Sequence, residues 1–286
     1  VGPVRDGPPR VLAIAGTDPT GGAGIQADIK TISAHGGYAM AAITAIVAQN
    51  TTDVRAVRPV SARLLTAQLD AVSDDVEIDA VKIGMLGSAA AARAVAAWLD
   101  RARPPIVVLD PVLRATTGRT LTSPVAIGGM RALIERVDIM TPNRDELAAL
   151  LGRPRRASWA DAVDDAVDAT ALWGSRVLLT GGDGTGDLAV DVLVEPRGGD
   201  APRLTEASAP RVATPHTHGT GCALSSALAT LQVGERDWSR SLARAKQWLG
   251  RALRAAEVLD VGRGAGPLHH LCERDDGRAA SHRLSP

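Results

Sequence analysis

The feature that most constrains this chain is a series of short, wholly apolar runs that end abruptly in glycine, acidic or amide residues. VLAIA at 11–15 stops at a glycine-rich loop, AVKI at 80–83 stops at Gly84, and IVVL at 106–109 stops at Asp110-Pro111. Val137 to Met140 stops at Thr141-Pro142-Asn143, and Val177 to Leu179 stops at Thr180-Gly181-Gly182. Runs without polar alternation belong to strands covered on both faces, which is the pattern of a parallel sheet. Helical spacing fills the gaps, at about Ile25 to His35, Ala62 to Val72, Ala89 to Leu99 and in a segment ahead of Val137. Tyr38 to Ala48 reads as one further strand, and Leu188 to Val194 as an antiparallel edge. Gly219-Thr220-Gly221 opens a helix toward Leu231, and Trp238 to Leu259 carries a Leu/Ala stripe at helical spacing. The expected class is α/β with a central, mostly parallel sheet. The expectation is one domain over residues 1–286, with its core at about 11–268. Arg153 to Trp159 and Pro196 to Arg203 read as surface loops, and the tail 272–286 as frayed.

Charge and composition exclude several functions. Lys+Arg and Asp+Glu are both 32, so no basic field selects DNA or an anionic membrane. Six aromatic residues, five of them Trp, are too few for base-stacking platforms. All but three of the 32 basic residues are Arg, a compositional bias that lowers the weight of any single Arg. Two cysteines, Cys222 and Cys272, make no disulfide framework and fit a reducing cytoplasm. VGPVRDGPPR lacks the apolar stretch of a signal peptide, and Tyr38 to Ala48 is too short to span a bilayer.

Ligands of open α/β sheets bind beyond the carboxyl ends of the strands, and the unusual residues lie there. Gly219-Thr220-Gly221-Cys222 can gather main-chain N–H groups around an anion at a helix start, where a thiolate is also favoured. It also reads as a tight loop beside a small buried Cys. Asn143 and Glu146 share a helix face and suit Mg²⁺ through water, or form an N-terminal capping box. Asp110, at the end of an apolar strand, needs a partner such as a metal or phosphate. Gly22-Ala23-Gly24-Ile25-Gln26-Ala27 fits the G-x-G-x-x-A dinucleotide fingerprint, yet the next strand ends in Gln49-Asn50-Thr51, without the acid that would hold a ribose. The other reading has this loop closing over a small polar substrate, with Asp28 one turn inside, Gln49 presenting a donor and an acceptor, and Met85 and Val112 as apolar walls. His216 and His218 read as loop residues, or as an i, i+2 pair of metal ligands. Lys82 reads as a phosphate counter-charge or as a snorkelling side chain.

Taken together, AIAGTDPTGGAGIQADIKT (13–31), ITAIVAQNT (43–51), VKIGMLGS (81–88), VVLDPV (107–112), TPNRDEL (141–147) and HTHGTGCALSSA (216–227) closely resemble the hydroxymethylpyrimidine/phosphomethylpyrimidine kinases of thiamine synthesis. The resemblance implies a ribokinase-like three-layer α/β sandwich and a cytoplasmic homodimer. It implies ATP- and Mg²⁺-dependent phosphorylation of 4-amino-5-hydroxymethyl-2-methylpyrimidine to the monophosphate and then the diphosphate. A pyridoxal-type kinase is the alternative. Residue by residue, it implies that Cys222 is the catalytic residue and that Gly219, Thr220 and Gly221 form the anion hole. Ala23, Asp28, Gln49, Met85 and Val112 would line the pyrimidine pocket, and Thr180, Gly181 and Gly219 would meet ATP. Asp110, Asn143 and Glu146 would serve the metal. No nucleic-acid or membrane partner is implied. Two departures stand out: Leu179-Thr180-Gly181-Gly182-Asp183 replaces a common Val-Lys-Gly-Gly-His, and Ala223 replaces a common Thr.

Overall fold

A computed structural model describes residues 7–114, 124–182 and 184–273, together with the backbone but not the side chains of 124–126. Ten strands carry the frame: β1 (Arg10–Ala15), β2 (Tyr38–Ile43), β3 (Ala45–Gln49), β4 (Val54–Pro59), β5 (Ala80–Ile83), β6 (Val107–Leu109), β7 (Ile139–Met140), β8 (Arg176–Leu179), β9 (Leu188–Arg197) and β10 (Asp200–Pro210). The helices are α1 (Gly24–Ala34), α2 (Ala62–Ser73), α3 (Ala89–Ala102), α4 (Pro124–Ile134), α5 (Arg144–Leu151), α6 (Trp159–Trp173), α7 (Thr220–Glu235) and α8 (Trp238–Arg254). Among the described residues, eight strands form one sheet in the order β10-β9-β8-β7-β6-β5-β1-β2, and β3 pairs with β4 in a second, small sheet. Pairing is parallel from β2 through β8 and antiparallel for β8–β9 and β9–β10.

The apolar runs do what their lack of alternation dictates. In β1, Leu12 and Ile14 pack with Leu69, Trp98 and Leu133 on one face, while Val11 and Ala13 pack with Ile32, Leu228 and Trp248 on the other. Helices α2 to α6 cover the first face, and α1, α7 and α8 the second. The result is the expected three-layer sandwich. Among the described residues, no helix is long and apolar enough to cross a membrane.

Five expectations are corrected. The run 38–48 is two strands. At Thr44 the chain leaves the main sheet, fastened by its N–H to Ala15 O (3.0 Å), its hydroxyl to Met85 O (2.6 Å) and its carbonyl to Val60 N (2.8 Å). Beyond it only one face is covered, so Ala45 and Val47 are buried while the equally apolar Ile46 is 56 % exposed. The segment 196–203 is a strand–turn–strand: β9 runs to Arg197 and β10 begins at Asp200, a polar edge strand that looks like a loop in sequence. The loop 153–159 ends at Ser158, whose side chain caps α6 by accepting from Asp161 N (3.0 Å). The long last helix stops at Arg254 and continues as one tight 3₁₀ turn, Ala256–Leu259. The tail starts docked rather than frayed, because Cys272 is buried and Arg251 Nε donates to Glu273 (3.0 Å). Residues 274–286 lie outside the described set.

One ionic cluster ties the layers together beneath the strand ends. Lys82 of β5 is fully buried, and its ammonium donates to Asp28 of α1 (2.8 Å) and lies 3.6 Å from Asp110 after β6. From α7, the Ser226 hydroxyl donates to Asp28 (2.8 Å) and the Ser225 hydroxyl to Asp110 (3.2 Å). Burial works against the ammonium, but the two carboxylates outweigh it and raise the Lys82 pKa. Lys82 is thus neither a phosphate counter-charge at the surface nor a snorkelling side chain.

Removing one partner of such a group leaves buried charge uncompensated. Lys82→Met should cost about 3–5 kcal/mol in urea unfolding at pH 7. The loss should shrink at pH 5, where the deprived carboxyls take up protons. A second pH dependence comes from imidazoles. Burial pushes His270 down to about 3 and His35, which packs edge-on against Trp248, down to about 4. The unfolded chain therefore binds their protons first. Stability is complete above about pH 6.5 and declines below it, by about 1 kcal/mol for His270 alone at pH 5.5. Urea midpoints measured from pH 7.5 to 5 should show the decline in the native chain and a smaller one in His270→Gln.

Candidate active site

Two helices begin differently from their neighbours. Among the helices whose caps are described, α2, α3, α5, α6 and α8 each start with a side chain accepting a first-turn N–H, from Ser61, Ser88, Asn143, Ser158 and Asp237. α1 and α7 start at Ala23 and Gly219 with no side-chain cap. Their uncapped ends converge on one cavity of about 940 Å³ at the carboxyl ends of the strands. Each brings the partial positive charge of a helix start, and α7 adds N–H groups without a side-chain acceptor, as an anion requires, whereas at α1 the Ala23 N–H donates to Asp18 (2.8 Å) and the Ile25 N–H to Gly16 O (2.9 Å).

The convergence is a backbone-to-backbone contact. Gly219 has φ +82°, and a Cβ there would lie 1.9 Å from Gly22 O. A Cβ on Gly22 would lie 2.6 Å from the His218 ring. Both positions require glycine, which explains two of the glycines that sequence alone leaves ambiguous between phosphate cradle and tight turn.

Cys222 sits in the first turn of α7 and lines the cavity. Burial pushes its thiol up to about 12, with Asp110 and Asp28 adding to the shift and Lys82 and the Gly24 N–H opposing it. The expectation of a favoured thiolate is therefore corrected. Desolvation and two carboxylates outweigh the helix end, and at neutral pH the resting group is a thiol. That thiol neighbours Asp110, whose own carboxyl burial pushes up against the pull of Lys82.

Most of the sequence-derived site residues meet at this cavity. Gly219, Thr220, Gly221 and Cys222 line it, as do Ala23, Gln49, Met85 and Val112, and Asp110, Asn143, Glu146 and Thr180. Gln49 arrives from the end of β3, so the small sheet, not the main one, delivers the amide. Met85 and Val112 form an apolar patch with Val47 and Val54. Asp28 does not line the cavity. It is fully buried beneath it, held by Lys82 and Ser226. Gly181 is also set back. Its N–H donates to Asp191 (2.9 Å), its carbonyl accepts from Gly184, and a Cβ would lie 2.0 Å from Val190 O. Asp183, in the same departure from the family pattern, lies outside the described residues.

Asn143 and Glu146 form the capping box. Asn143 Oδ1 accepts from Glu146 N (2.9 Å) and Glu146 Oε2 from Asn143 N (3.0 Å). Glu146 nonetheless borders the cavity, and burial followed by the Asp110 charge pushes its carboxyl up to about 8. Among the described residues no group of three or more His, Cys, Asp or Glu could hold a metal directly. What fits is the sparse set that Mg²⁺ uses, two carboxylates with water completing the shell. Asp110 and Glu146, each disfavouring ionisation of the other, supply that set, while Asn143 Oδ1 is committed to its cap.

The sequence reading missed Asp18 and underrated His218. His218 Nε2 lies 2.8 Å from Asp18 Oδ2 across 200 positions of chain. It also missed Lys246, another residue that lines the cavity, whose ammonium donates to Asp191 (2.6 Å). Neither pair has a local spacing signal, since both join residues distant in sequence.

Comparison with known proteins agrees with this geometry. A phosphomethylpyrimidine kinase family model matches residues 18–269. The chain is 44% identical over 261 residues to the hydroxymethylpyrimidine/phosphomethylpyrimidine kinase of Escherichia coli, covering 91% of this chain and 96% of that one. It is 46% identical over 264 residues to a thiamine biosynthesis multifunctional protein of Corynebacterium efficiens, covering 92% of this chain but only 35% of that longer protein. Among solved structures, an ADP complex of Bacillus subtilis pyridoxal kinase has a TM-score of 0.83 at 30% identity, covering 93% of this chain and 98% of that one. A phosphomethylpyrimidine kinase from Clostridium difficile has a TM-score of 0.73 at 32% identity, covering 85% and 99%. The sandwich is ribokinase-like, and by the extent of the family match and of the bacterial relatives the chain belongs to the phosphomethylpyrimidine kinase family of phosphotransferases.

Proposed function

We propose that this chain moves the terminal phosphoryl group of ATP to the hydroxymethyl oxygen of 4-amino-5-hydroxymethyl-2-methylpyrimidine, and then a second one to the monophosphate, in thiamine biosynthesis. The observation that carries the reading is the meeting of Gln49, Cys222 and the Gly219–Gly221 turn on one cavity. Gln49 offers a donor and an acceptor to a heteroaromatic edge, and Met85 and Val112 offer apolar faces to its ring. The uncapped end of α7 receives the charge that develops on the transferring group, and such fixed N–H groups need no reorganisation at the moment of reaction. Mg²⁺ would be held at Glu146 and, through water alone, at Asp110, and would neutralise phosphate charge, which leaves the Asp110 carboxylate able to take a proton.

The proton follows from the protonated thiol. As the substrate oxygen bonds to phosphorus, its proton passes to Cys222 Sγ while the Sγ–H proton passes to Asp110. Asp110 ends as the neutral acid, the form that burial already favours. Catalysis in this scheme is mainly positioning and electrostatics. Thr180 stands where relatives often have Lys, so the nucleotide meets a hydroxyl there and one cation fewer. The proposal includes a single kinase domain, a cytoplasmic setting and a homodimer.

The pyridoxal reading has one observation behind it, the likeness to the Bacillus subtilis enzyme. A single experiment separates the two. Phosphorus NMR of the protein with ATP, Mg²⁺ and either alcohol should show monophosphate and then diphosphate from the pyrimidine, and only slow monophosphate from pyridoxal. Preferential pyridoxal turnover would reverse the assignment. Cys222→Ala should lower kcat by ~10²–10⁴, the usual scale for a proton-transfer group, with the KM for ATP little changed. Unaltered turnover would remove Cys222 from the mechanism.

A further inference from the structure

The buried carboxylate of Asp18 belongs to no step above, and its surroundings are unusual. It is fully buried, and the groups around it are N–H and O–H donors drawn from separate parts of the site. Oδ1 accepts from the Thr20 N–H (3.0 Å) and hydroxyl (2.8 Å). Oδ2 accepts from the N–H groups of Gly22 (3.1 Å) and Ala23 (2.8 Å) and lies 2.8 Å from His218 Nε2. The neighbouring Thr17 ties this loop to β3, the strand that ends in Gln49: its N–H donates to Ala45 O (3.0 Å) and its hydroxyl oxygen accepts from Val47 N (2.9 Å). Burial works against the charge, but His218, Thr20 and Gln49 outweigh it and hold the group well below the usual carboxylate range.

These partners lie on opposite sides of the reaction. Gln49 faces the ring of the alcohol. His218 immediately precedes Gly219, the start of the turn that faces phosphate. Gly22 and Ala23 belong to the loop that leads into α1. Because Gly219 and Gly22 are in backbone contact, neither loop can shift without the other. A shift of the Asp18 loop is thereby passed to β3 through Thr17, and with it to the Gln49 amide, whose donor and acceptor face the ring.

From this geometry we infer that Asp18 and His218 are positioning residues that couple the two substrate subsites. Occupancy of the phosphate-facing turn orders His218, through it Asp18, and through the Asp18 loop the end of β3 that carries Gln49. Ordering done by one ligand need not be repeated for the other, which gives positive cooperativity without a large movement. By linkage the effect is reciprocal, and couplings of this kind span about 5- to 150-fold. The inference rests on the proposed substrate assignment.

Calorimetric titration of the full chain tests it without turnover. 4-Amino-5-hydroxymethyl-2-methylpyrimidine is titrated alone and in saturating ADP with Mg²⁺, and the ratio of the two Kd values is the coupling factor. The wild-type chain should show a factor of at least about five. His218→Phe, which keeps a ring but has no N–H, should bring the factor to about one, whatever it does to each ligand alone. His218→Gln, which keeps an N–H donor at similar reach, should restore it. Should circular dichroism show His218→Phe unfolded, His218→Asn takes its place, because its shorter amide does not reach Asp18. Wild-type binding of both ligands with a factor of one, or an undiminished factor in the severed variant, overturns the coupling and leaves the substrate assignment standing. A wild-type chain that binds ADP but not the pyrimidine overturns the assignment and the coupling with it.

Discussion

The buried ammonium of Lys82 is the constraint around which the rest is arranged. A strand, a helix and a strand-end loop each place a charged group at one point, and α7 adds two hydroxyls. A hydrophobic trio of the same volume could stabilise the sandwich equally well, since desolvating ions consumes most of their mutual attraction. What the ions add is orientation. Each must keep its partner at hydrogen-bonding distance or bear the full cost of an unpaired buried charge. That requirement locks α1 and α7 in register against β5 and β6, and their uncapped ends meet at the cavity as a consequence. The same field sets the proton chemistry above it. Asp110 and Cys222 sit close enough to Lys82 for their titration to depend on it, and far enough from water for burial to dominate.

A second principle concerns where hydrogen-bonding capacity is left unspent. Among the α-helices whose caps are described, N-cap side chains satisfy five starts, and the two without them, α1 and α7, point at the same space. A protein loses some helix stability at each uncapped start. Concentrating that loss at one place converts it into binding capacity for an anion. The capping box of α5 shows how both demands can be met by one residue, since Glu146 closes the box while still bordering the cavity beside Asp110.

Much of this was legible in the sequence, and the exceptions have physical causes. Unbroken apolar runs gave the parallel strands, because only double-sided burial tolerates them. They misled at 38–48, where Ile46 is apolar yet exposed and so hid the change from a two-sided to a one-sided strand. β10 was invisible because an edge strand with polar faces has the composition of a loop. The special residues at strand ends identified the cavity almost completely, because the topology aims those ends at one rim. Spacing failed for Asp28, which points under the floor toward Lys82. It failed for Cys222 in the opposite sense: the helix-start argument was sound, but burial, helped by two carboxylates from distant segments, reverses its sign. The Asp18–His218 pair lies beyond any local pattern.

The pocket walls differ in how readily they can be altered. Around the Gly219 turn the fit is tight: a Cβ at Gly219 would meet the Gly22 carbonyl, and one at Gly22 the His218 and Pro267 side chains. At the ring end the wall is a thioether. A Cβ at Gly16 would lie 2.3 Å from Met85 Cε, and that methyl is the end of a flexible chain. Under the proposed assignment, a wider ring pocket is therefore reached through the flexible residue at position 85, while the wall around Gly219 resists any change of size.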